Sequence, residues 1–599
     1  MGILNENQIM GASAAGGDYE IEQSLRFNKP DSAYLSHTPS GATNQKTWTW
    51  SGWVKKCGAL NSGVFDARQT SSGQFTQLNF NNLDVLQFYT SMSGVDYSWE
   101  SVPLYRDPSA WYHIVAVLNT PSSTQQDRFI IYINGVRQSN GNQYGALDLN
   151  VTTWINSANP HSIGRTSDAG HYFDGYMGEV NFIDGQALTP DSFGETGDYG
   201  EWKPIKYAGT YGTNGFYLKF ENASSLGNDS AGSNNWTPSN LAATDQMLDS
   251  PTNNFATLNP LDEGGTNTVA EGNLQYDKTG ANFGPMRGTL GVTTGKWYFE
   301  AMRSSNSNIC QVGVSNNYDI SQNGGDNSVG SAGGIGAAWD SRGYYYRTGG
   351  SDGGKNTFAT NEIVSVAFDA DTGKIWWRKS GGSWQDSGNP ETGANPSFTA
   401  SGYSELMPFV NGEAGGGLVA NFGQDSSFAG NKTPQGNQDA NSVGDFFYPV
   451  PSGFLSLCTK SLPDVDVIPS EHFNPVLWTG NGTDGRDITN IGFTPDFVWI
   501  KSRSLGSSHL LNDTVRGANK SLFSEGTYAE TPNNGGGYLD AFVTDGFSVT
   551  SGGSGDAAVN DNGATYVAWN WKAGGSASSN SNGTITSSVS ANVDAGFSI

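Results

Sequence analysis

The chain has 599 residues, too many for one domain, and this length predicts about three or four domains. Aromatic residues make up 12% of the sequence, which excludes a disordered protein, because disordered chains lack the large apolar side chains that offset the entropy of folding. A net charge of −26 would repel a phosphate backbone and argues against nucleic-acid binding.

The three cysteines, Cys57, Cys310 and Cys458, lie far apart in the sequence. An odd, scattered set predicts neither a disulfide framework nor a zinc site, and favours small buried residues in a protein made in a reducing cytoplasm. The first residues lack the basic region and apolar core of a signal peptide, and no apolar run approaches the roughly 18 residues of a membrane span. We therefore expect neither export by a cleavable signal nor membrane insertion.

Residues 1–23 are rich in Gly, Ala and Asn and show little periodicity, so we predict an extended N-terminal arm that docks onto another protein. Over residues 24–194, short β-rich runs follow one another at regular intervals, beginning with KTWTWSGWVKK. The run at 128–138 predicts a hairpin, because Asn134 and Gly135 accept the positive φ values of a type I′ turn. Regular short strands separated by polar turns are typical of a β-sandwich.

Residues 195–270 consist mainly of Asn, Ser, Thr, Gly and Pro, so we predict a connector with one strand, GFYLKFEN. A connector of this length would be unusual inside one compact domain, and we expect it to wrap a neighbouring subunit. Residues 271–425 form a second block of β-rich runs that includes the hairpin VAFDADTGKIWWRK. Within that hairpin Trp376 and Trp377 alternate, so one faces the core and the other is available to a ligand or another subunit.

Residues 426–470 are again loop-like and predict a second connector. Residues 471–575 carry alternating strands on a smaller scale, such as GFTPDFVWIKSRS, and predict a small β module. Residues 576–599 begin a further β module. Because the sequence ends on an apolar half-strand at Ile599, we expect the native chain to continue.

The first block resembles the laminin-G-like, concanavalin A-like jelly roll. The resemblance rests on three motifs in order: the Trp-rich strand WTWSGWVKK, the pair WYHIVAVLN and DRFIIYINGVRQ, and the closing run SIGR…FDGYMGEVNFIDGQAL. The predicted fold class is therefore all-β, with tandem β-sandwich (jelly-roll) domains joined by Gly/Ser/Asn-rich connectors behind an extended N-terminal arm.

The second block resembles a SPRY domain through TGKWYFE, QVGVS, FDADTGKIWWRKSGGSW and PFVNG…VANFG. Ser380, Gly381 and Gly382 stand where that family usually has Asn-Gly, a departure that a turn tolerates. SPRY domains are protein-binding sandwiches, so this resemblance implies display and not catalysis.

The whole arrangement resembles large structural proteins of marine tailed bacteriophages, through DGQALTPDSFGE, NNWTPSNLAATDQMLDSPTNNFATLNP and GFTPDFVWIKSRS. This resemblance implies a virion protein of the tail-fibre or receptor-binding type, made in the host cytoplasm. Residues 1–23 would hold it to other virion proteins, and its lectin-like domains would bind a host-surface glycan or protein. The alternatives are a capsid (head) decoration or fibre protein, and a bacterial surface adhesin, which the missing signal peptide disfavours.

The sequence predicts no enzyme. Glucanases with a jelly-roll architecture carry Glu-x-Asp-x-x-Glu on one strand, and no Glu in this chain has Asp at +2 and Glu at +5. Glu179 has Asp184 at +5, on the opposite face by alternation, so we interpret Glu179 as a surface residue or a hydrogen-bonding group at the sandwich edge. His113 follows Trp111 and Tyr112 without a nucleophile elbow, and we predict a buried, hydrogen-bonded histidine.

Aromatic residues in Gly- and Asn-rich loops are candidates for sugar binding, because aromatic faces stack on sugar C–H surfaces. These residues are Tyr97, Trp99, Tyr144, Trp154, Tyr172, Tyr344 and Tyr345. Packing between domains or subunits is the alternative for each of them.

Calcium is the one cofactor that the laminin-G-like resemblance suggests, since such domains often bind it at a loop rim. The acidic candidates are Asp66, Asp168 and Asp174, and turn formation explains each of them equally well. No other cofactor is expected.

We also expect a homo-oligomer. Lys and Arg together number only 31, so the strand edges have little of the charge that normally protects them, while Tyr and Trp favour surfaces buried between chains. No heptad run is present to form a coiled coil. The resemblance to phage fibres suggests a trimer whose contacts are made by sandwich faces and connectors.

Overall fold

The structure is a computed structural model. It describes residues 4–5, 19–58, 61–69, 73–92, 95–141, 147–166, 171–305, 308–316, 329, 334–463, 467–532, 537–551 and 559–599. Regular structure in these ranges consists of strands and short 3₁₀ helices, without an α-helix, and confirms the predicted all-β fold. None of the helices in these ranges is long and apolar enough to cross a membrane. The chain divides into two compact units, Met1–Gly197 with Trp202–Pro463, and Asp198–Glu201 with Asp464–Ile599.

The first sandwich is built from among the first eighteen strands of the chain, of which the first pairs outside it and the fourteenth and fifteenth form a separate two-stranded sheet. They are β1 (Leu4–Asn5), β2 (Ser24–Phe27), β3 (Tyr34–His37), β4 (Thr47–Lys56), β5 (Ser62–Arg68), β6 (Phe75–Phe80), β7 (Leu86–Met92), β8 (Val95–Glu100), β9 (Trp111–Asn119), β10 (Phe129–Ile133), β11 (Val136–Arg137), β12 (His161–Ile163), β13 (Gly175–Asp184), β14 (Gly194–Thr196), β15 (Trp202–Pro204), β16 (Phe216–Leu218), β17 (Thr237–Ser239) and β18 (Gln246–Met247).

Two sheets face each other in this sandwich. One has the order β11-β10-β9-β4-β13-β2-β18, with β16 also paired to β13, and the other has the order β17-β3-β12-β5-β6-β7-β8. The Trp-rich strand β4 lies in the middle of the first sheet and places Trp48 and Trp50 in the core between the sheets. Asn134 and Gly135 have φ values of 47° and 77°, as the predicted type I′ hairpin between β10 and β11 requires.

The second sandwich follows. Its strands are β19 (Leu258–Glu263), β20 (Asn267–Ala270), β21 (Gln275–Lys278), β22 (Met286–Gly288), β23 (Leu290–Gly291), β24 (Lys296–Arg303), β25 (Cys310–Ser315), β26 (Gly336–Asp340), β27 (Tyr345–Arg347), β28 (Gly350–Asp352), β29 (Ile363–Asp369), β30 (Lys374–Lys379), β31 (Phe398–Thr399), β32 (Met407–Gly412), β33 (Gly417–Asn421) and β34 (Leu455–Ser456). The two sheets have the orders β19-β22-β32-β25-β26-β27-β28 and β20-β21-β33-β24-β29-β30-β31, with β34 added beside β24.

The segment 195–270 differs from the predicted connector. Instead of one strand it contributes β16, β17 and β18 to both sheets of the first sandwich, and its last residues begin the second sandwich. Trp236 is 4% exposed and packs 4.9 Å from Phe216 in the first core. Most of the segment therefore belongs to the first unit. The run GFYLKFEN predicted β16, whereas β17 and β18 are short runs without apolar alternation and gave no sequence signal.

The alternation predicted for Trp376 and Trp377 is present in β30. Trp377 lies in the core between the sheets, whereas Trp376 belongs to a second cluster on the outer face. Trp376 is nevertheless fully buried, because Phe446 and Phe454 of the predicted connector 426–470 fold over that outer face. The chain itself covers the side chain that was expected to be available to a partner.

Buried ion pairs join the two sandwiches. Arg26 on β2 is 1% exposed and contacts Asp425 at 3.0 Å, Asp245 at 3.1 Å and Glu271 at 3.2 Å. Asp425 and Glu271 lie in the second sandwich. One guanidinium thus neutralises carboxylates from both sides of the junction, where an unpaired carboxylate would be costly.

The described part of the N-terminal arm is docked on its own chain. β1 pairs in parallel with β23 of the second sandwich. The Tyr19 hydroxyl donates to Glu179 Oε1 at 2.7 Å, and Ile21, 3% exposed, has its backbone N–H on Thr252 Oγ1 at 3.0 Å. Residues 19–23 therefore belong to the folded unit.

The second unit contains the remaining strands. They are β35 (Phe473–Thr479), β36 (Arg486–Ile488), β37 (Phe497–Ser502), β38 (Leu510–Asp513), β39 (Lys520–Phe523), β40 (Thr531–Pro532), β41 (Leu539–Val543), β42 (Gly546–Val549), β43 (Thr565–Trp571), β44 (Ser578–Asn580), β45 (Ser587–Val589), β46 (Ala591–Asn592) and β47 (Phe597–Ser598). A sheet of order β35-β43-β37-β38-β39-β40 and a sheet of order β36-β42-β41 enclose a core that includes Trp478 and Tyr566.

The 3₁₀ helices are single turns between strands. They are Gln125–Asp127, Pro190–Ser192, Ala243–Asp245, Gln385–Ser387, Thr459–Ser461 and Pro469–Glu471. The three cysteines are buried and not in disulfides, as the sequence predicted.

Candidate functional site

A groove of about 660 Å³ opens at one edge of the first sandwich. It lies where β7 and β8, the edge of one sheet, meet β10 and β11, the edge of the other. Side chains from the edge strands of both sheets therefore line one shared cleft.

The floor of the groove is aromatic. Phe88 on β7 pairs directly with Trp99 on β8, and its ring stacks on Phe129 of β10 with centroids 3.9 Å apart. Trp99 meets Phe129 edge-on at 6.0 Å, and Tyr97 lies two residues along β8. Rings held by both sheets form a rigid apolar surface with little side-chain entropy left to lose on binding.

The rim of the groove is polar and exposed. It is formed by Gln125 and Gln126 of a 3₁₀ turn and by the run Arg137–Asn140 that leaves β11. Arg137 Nη2 donates to Asp127 Oδ1 at 2.8 Å and to the Gln126 carbonyl at 2.9 Å. Asn140 forms a bridge with Ser101 and so ties the two sheets together at one end of the groove.

A second polar group lies beside the floor. The Tyr97 hydroxyl donates to Asp148 Oδ2 at 2.8 Å, and burial together with this hydrogen bond raises the pKa of the phenol. The phenol therefore stays protonated at neutral pH, and its orientation is fixed. An apolar floor lined by amide, guanidinium and hydroxyl groups suits a polyhydroxylated ligand with one apolar face.

The structure brings together only part of the predicted sugar-binding set. Tyr97 and Trp99 line the groove, although they are 7% and 8% exposed and not the open platforms expected. Tyr144 lies outside the described residues. Trp154 is half-buried against the first core with its indole N–H on the Ser91 carbonyl at 3.1 Å.

The other predicted aromatic residues lie elsewhere. Tyr172 is half-buried, 6.3 Å from Tyr34, and does not line the groove. Tyr344 is 44% exposed, whereas Tyr345 is 1% exposed and packs 5.0 Å from Trp377 in the second core. Alternation along β27 turns Tyr345 inward, so the interpretation of Tyr345 as a loop aromatic is wrong.

Two of the three predicted calcium ligands, Asp66 and Asp174, lie among the described residues. Asp66 is fully buried within β5, and Asp174 is 8% exposed just before β13. Asp168 lies outside the described residues. Within the described ranges, no group of three or more His, Cys, Asp or Glu side chains is arranged to hold a metal ion. Calcium binding stays a prediction.

Glu179 is buried rather than on the surface. It lies at an irregularity in β13 with a φ of 52°, and its carboxylate accepts the hydroxyls of Tyr19 and Tyr217, each at 2.7 Å. Burial raises its pKa, but both carboxylate oxygens are already bound. The predicted hydrogen-bonding role of Glu179 is confirmed. The alternative of a surface residue is wrong, because Tyr19 and Tyr217, the latter on the neighbouring strand β16, cover the carboxylate.

His113 is the buried, hydrogen-bonded histidine that the sequence predicts. Its Nε2 lies 2.9 Å from Ser51 Oγ, and its Nδ1 accepts the Trp202 indole N–H at 2.9 Å. Its ring stacks on Trp53 with centroids 4.9 Å apart. Burial lowers the pKa of His113 to about 3, so the ring is neutral at physiological pH.

Another buried carboxyl affects stability. Glu300 is fully buried and accepts the backbone N–H groups of Phe447 and Tyr448 at 2.8 and 2.9 Å, and burial raises its pKa to about 7. A carboxyl group whose pKa is higher in the folded than in the unfolded state stabilises the fold at pH values below its unfolded-state pKa. This stabilisation is lost as the pH rises through the folded-state pKa. We expect Glu300→Gln to gain stability relative to the wild type between pH 5 and pH 8, by up to about 3 kcal/mol.

Urea unfolding at a series of pH values measures this effect. The matched control is Glu221→Gln, whose carboxylate is about half exposed, and its stability should follow the wild-type pH dependence. Parallel curves for Glu300→Gln and the wild type would show that Glu300 does not titrate in this range.

Comparison with known proteins supports the jelly-roll assignment of the first block. Residues 29–192 match the family model described as the concanavalin A-like lectin/glucanases superfamily, which confirms the jelly-roll resemblance of the first block. Residues 468–599 match a domain of unknown function, DUF7483, so one family model spans both modules predicted after residue 470. A search of the curated proteins finds no match to the chain.

Two solved structures are among those that match parts of this chain. The SPRY domain of human HERC1 is 16% identical, covers 27% of this chain and 96% of its own, and has a TM-score of 0.21. The native heptameric SAP-like pentraxin from Limulus polyphemus is 16% identical, covers 28% of this chain and 80% of its own, and has a TM-score of 0.22.

Proposed function

We propose that this chain is an adhesion protein that binds carbohydrate in the groove between β7–β8 and β10–β11. The observation that supports the proposal is the pairing of an aromatic floor with an exposed rim of amide and guanidinium groups. Sugars need both, because their C–H faces stack on rings while their hydroxyls exchange hydrogen bonds with polar side chains. The concanavalin A-like match over 29–192 covers every strand that forms the groove.

Binding of a panel of labelled oligosaccharides tests the proposal, with the rim as the target of mutation. Arg137 is 47% exposed, so Arg137→Ala removes a rim donor without disturbing the core. We expect affinity for the best glycan to fall about tenfold, the effect of losing about 1.4 kcal/mol of hydrogen bonding.

The matched control is Arg106→Ala, which removes another exposed, ion-paired arginine that does not line the groove. Its affinity should equal that of the wild type. Equal losses in both variants, or no loss in Arg137→Ala, would contradict a carbohydrate site in this groove.

The setting that we propose is the virion of a tailed bacteriophage, as a tail-fibre or receptor-binding protein. The support is the resemblance of the connecting motifs to phage structural proteins. Attachment to other virion proteins would use the residues ahead of Tyr19, since residues 19–23 are committed to the first unit. A head-decoration protein is the alternative, and the position of the chain in particles would distinguish the two.

We further propose that the chain binds glycan without cleaving it. The groove is lined by Gln, Ser, Asn and Arg together with apolar side chains, without a carboxylate among its described lining residues. Retaining and inverting glycosidases both need a pair of carboxylates beside the bond that breaks. Release of reducing ends from a bound polysaccharide would contradict this part of the proposal.

A further inference from the structure

The second unit has an apolar outer sheet face whose side chains are exposed on β35 and partly exposed on β37 and β43. In β35, β37 and β43 the side chains alternate, and Trp478, Val498 and Tyr566 point into the core. The side chains that point the other way form the outer face. Their residues are Phe473, Pro475, Leu477, Thr479, Phe497, Trp499, Lys501, Thr565, Val567, Trp569 and Trp571.

The strand register arranges these side chains in rows across the sheet. Trp569 on the middle strand pairs with Pro475 on one side and Trp499 on the other, and the next row along the strands contains Leu477, Val567 and Lys501. The Trp499 and Trp569 rings lie 5.4 Å apart. At one end of the face Phe597 stacks on Trp571, but Leu477 at the other end is 62% exposed.

The charge on this face is unlike that of the whole chain. The protein has 57 acidic and 31 basic residues, yet the eleven outward positions of these strands carry one charged side chain, Lys501, and no carboxylate. Two copies with a net charge of −26 repel each other at any acidic surface. The outward positions of these three strands therefore form a region without carboxylates, where two such copies can approach.

The size of the face fits a contact between proteins. At about 4.8 Å between strands and about 3.4 Å per residue, the 28 residues of β35, β43, β37, β38 and β39 cover roughly 460 Å² in plan. β38 and β39 extend the face with the outward side chains of Leu511, Asp513, Lys520 and Leu522, and the Asp513 carboxylate is ion-paired with Arg516 at 2.6 Å. Side-chain relief raises the accessible area above this plan area, into the range of a small interface that buries less than about 600 Å² per partner.

We propose that this face binds the same face of a second copy of the chain. The edge of the sheet is less suited to pairing, because β35 contains Pro475, which has no N–H to donate. A flat face that meets itself is related by a two-fold axis, so the contact gives dimers. The trimer suggested by the resemblance to phage fibres would need a different contact.

The molar mass of the full-length protein in solution tests the proposal, measured by sedimentation velocity at about 1 to 50 µM, a range that covers moderate affinities. We expect the wild type to have twice the chain mass of 63.6 kDa. Leu477→Glu places a carboxylate on the face and should weaken dimerisation at least 100-fold. Ile585→Glu is the matched control, because Ile585 is 79% exposed but lies outside the face, and it should remain a dimer.

Unchanged thermal unfolding of Leu477→Glu would show that the fold is intact, and Leu477→Asn serves if the charged variant does not fold. A monomeric wild type, a trimer, or a dimer that neither Leu477 variant affects would overturn the proposal. So would equal loss of dimer in both glutamate variants. Binding of a soluble polysaccharide that Leu477→Glu abolishes in a monomeric protein would identify carbohydrate as the occupant instead.

Discussion

Arg26→Ala should destabilise the first unit by about 3 to 5 kcal/mol, the usual cost of removing one partner from a buried ion cluster. The Arg26 guanidinium contacts the carboxylates of Asp245, Glu271 and Asp425 at 3.0 to 3.2 Å. Without it, three carboxylates in low dielectric would repel one another across the junction between the sandwiches. The unfolding midpoint in urea measures the loss.

The pH dependence of this loss separates charge from packing. Burial, opposed by Arg26, raises the pKa of Glu271 to about 7, so this carboxyl takes up a proton as the pH falls. The deficit of Arg26→Ala should therefore be larger at pH 8 than at pH 5. A deficit of equal size at both pH values would indicate lost packing of the arginine side chain alone.

Arg137→Ala provides the surface comparison. Arg137 and Asp127 are both about half exposed, and an exposed pair of this kind contributes at most about 1 kcal/mol. If Arg26→Ala cost no more than Arg137→Ala, the cluster would be screened by water and would not hold the sandwiches together.

What the sequence predicts well is local. Strand alternation predicted that only one of Trp376 and Trp377 faces the core between the sheets, and the Asn-Gly pair predicted the turn before β11. The burial of His113 followed from its position on an aromatic central strand, yet its partners Ser51 and Trp202 lie far away in the sequence. Their identity depends on strand order, which no local pattern contains.

The groove shows the same limit. Tyr97 and Trp99 were predicted as loop aromatics, but both lie on strand β8. The rim comes from residues 125–126 and 137–140, which reach the same cleft because β8 and β11 are edges of opposing sheets. The polar run after the hairpin was a signal, although a weak one. Likewise, the cover over Trp376 comes from residues more than sixty positions later, in a segment whose composition resembles a loop.

Deletion of residues 1–23 should destabilise the first unit strongly, whereas deletion of residues 1–18 should not. The longer deletion removes Ile21, whose burial contributes about 2 to 3 kcal/mol, and the Tyr19 hydroxyl bound to Glu179, a charged hydrogen bond that contributes about 1.5 to 3 kcal/mol. It also removes one of the two phenols that donate hydrogen bonds to the buried Glu179 carboxylate. We expect a loss of about 4 kcal/mol in urea unfolding for the longer deletion.

The shorter deletion separates folding from attachment, because both deletions remove β1 and only the longer one removes Tyr19 and Ile21. Stability within about 1 kcal/mol of the wild type is expected for the protein that begins at Tyr19. If residues before Tyr19 attach the chain to a virion, this stable protein should be absent from purified particles while still binding glycan through the groove. Normal incorporation of the shorter-deletion protein into particles would place the attachment in a later part of the chain. If the shorter deletion destabilised the protein as much as the longer one, the pairing of β1 with β23 would stabilise the fold more than two paired residues suggest.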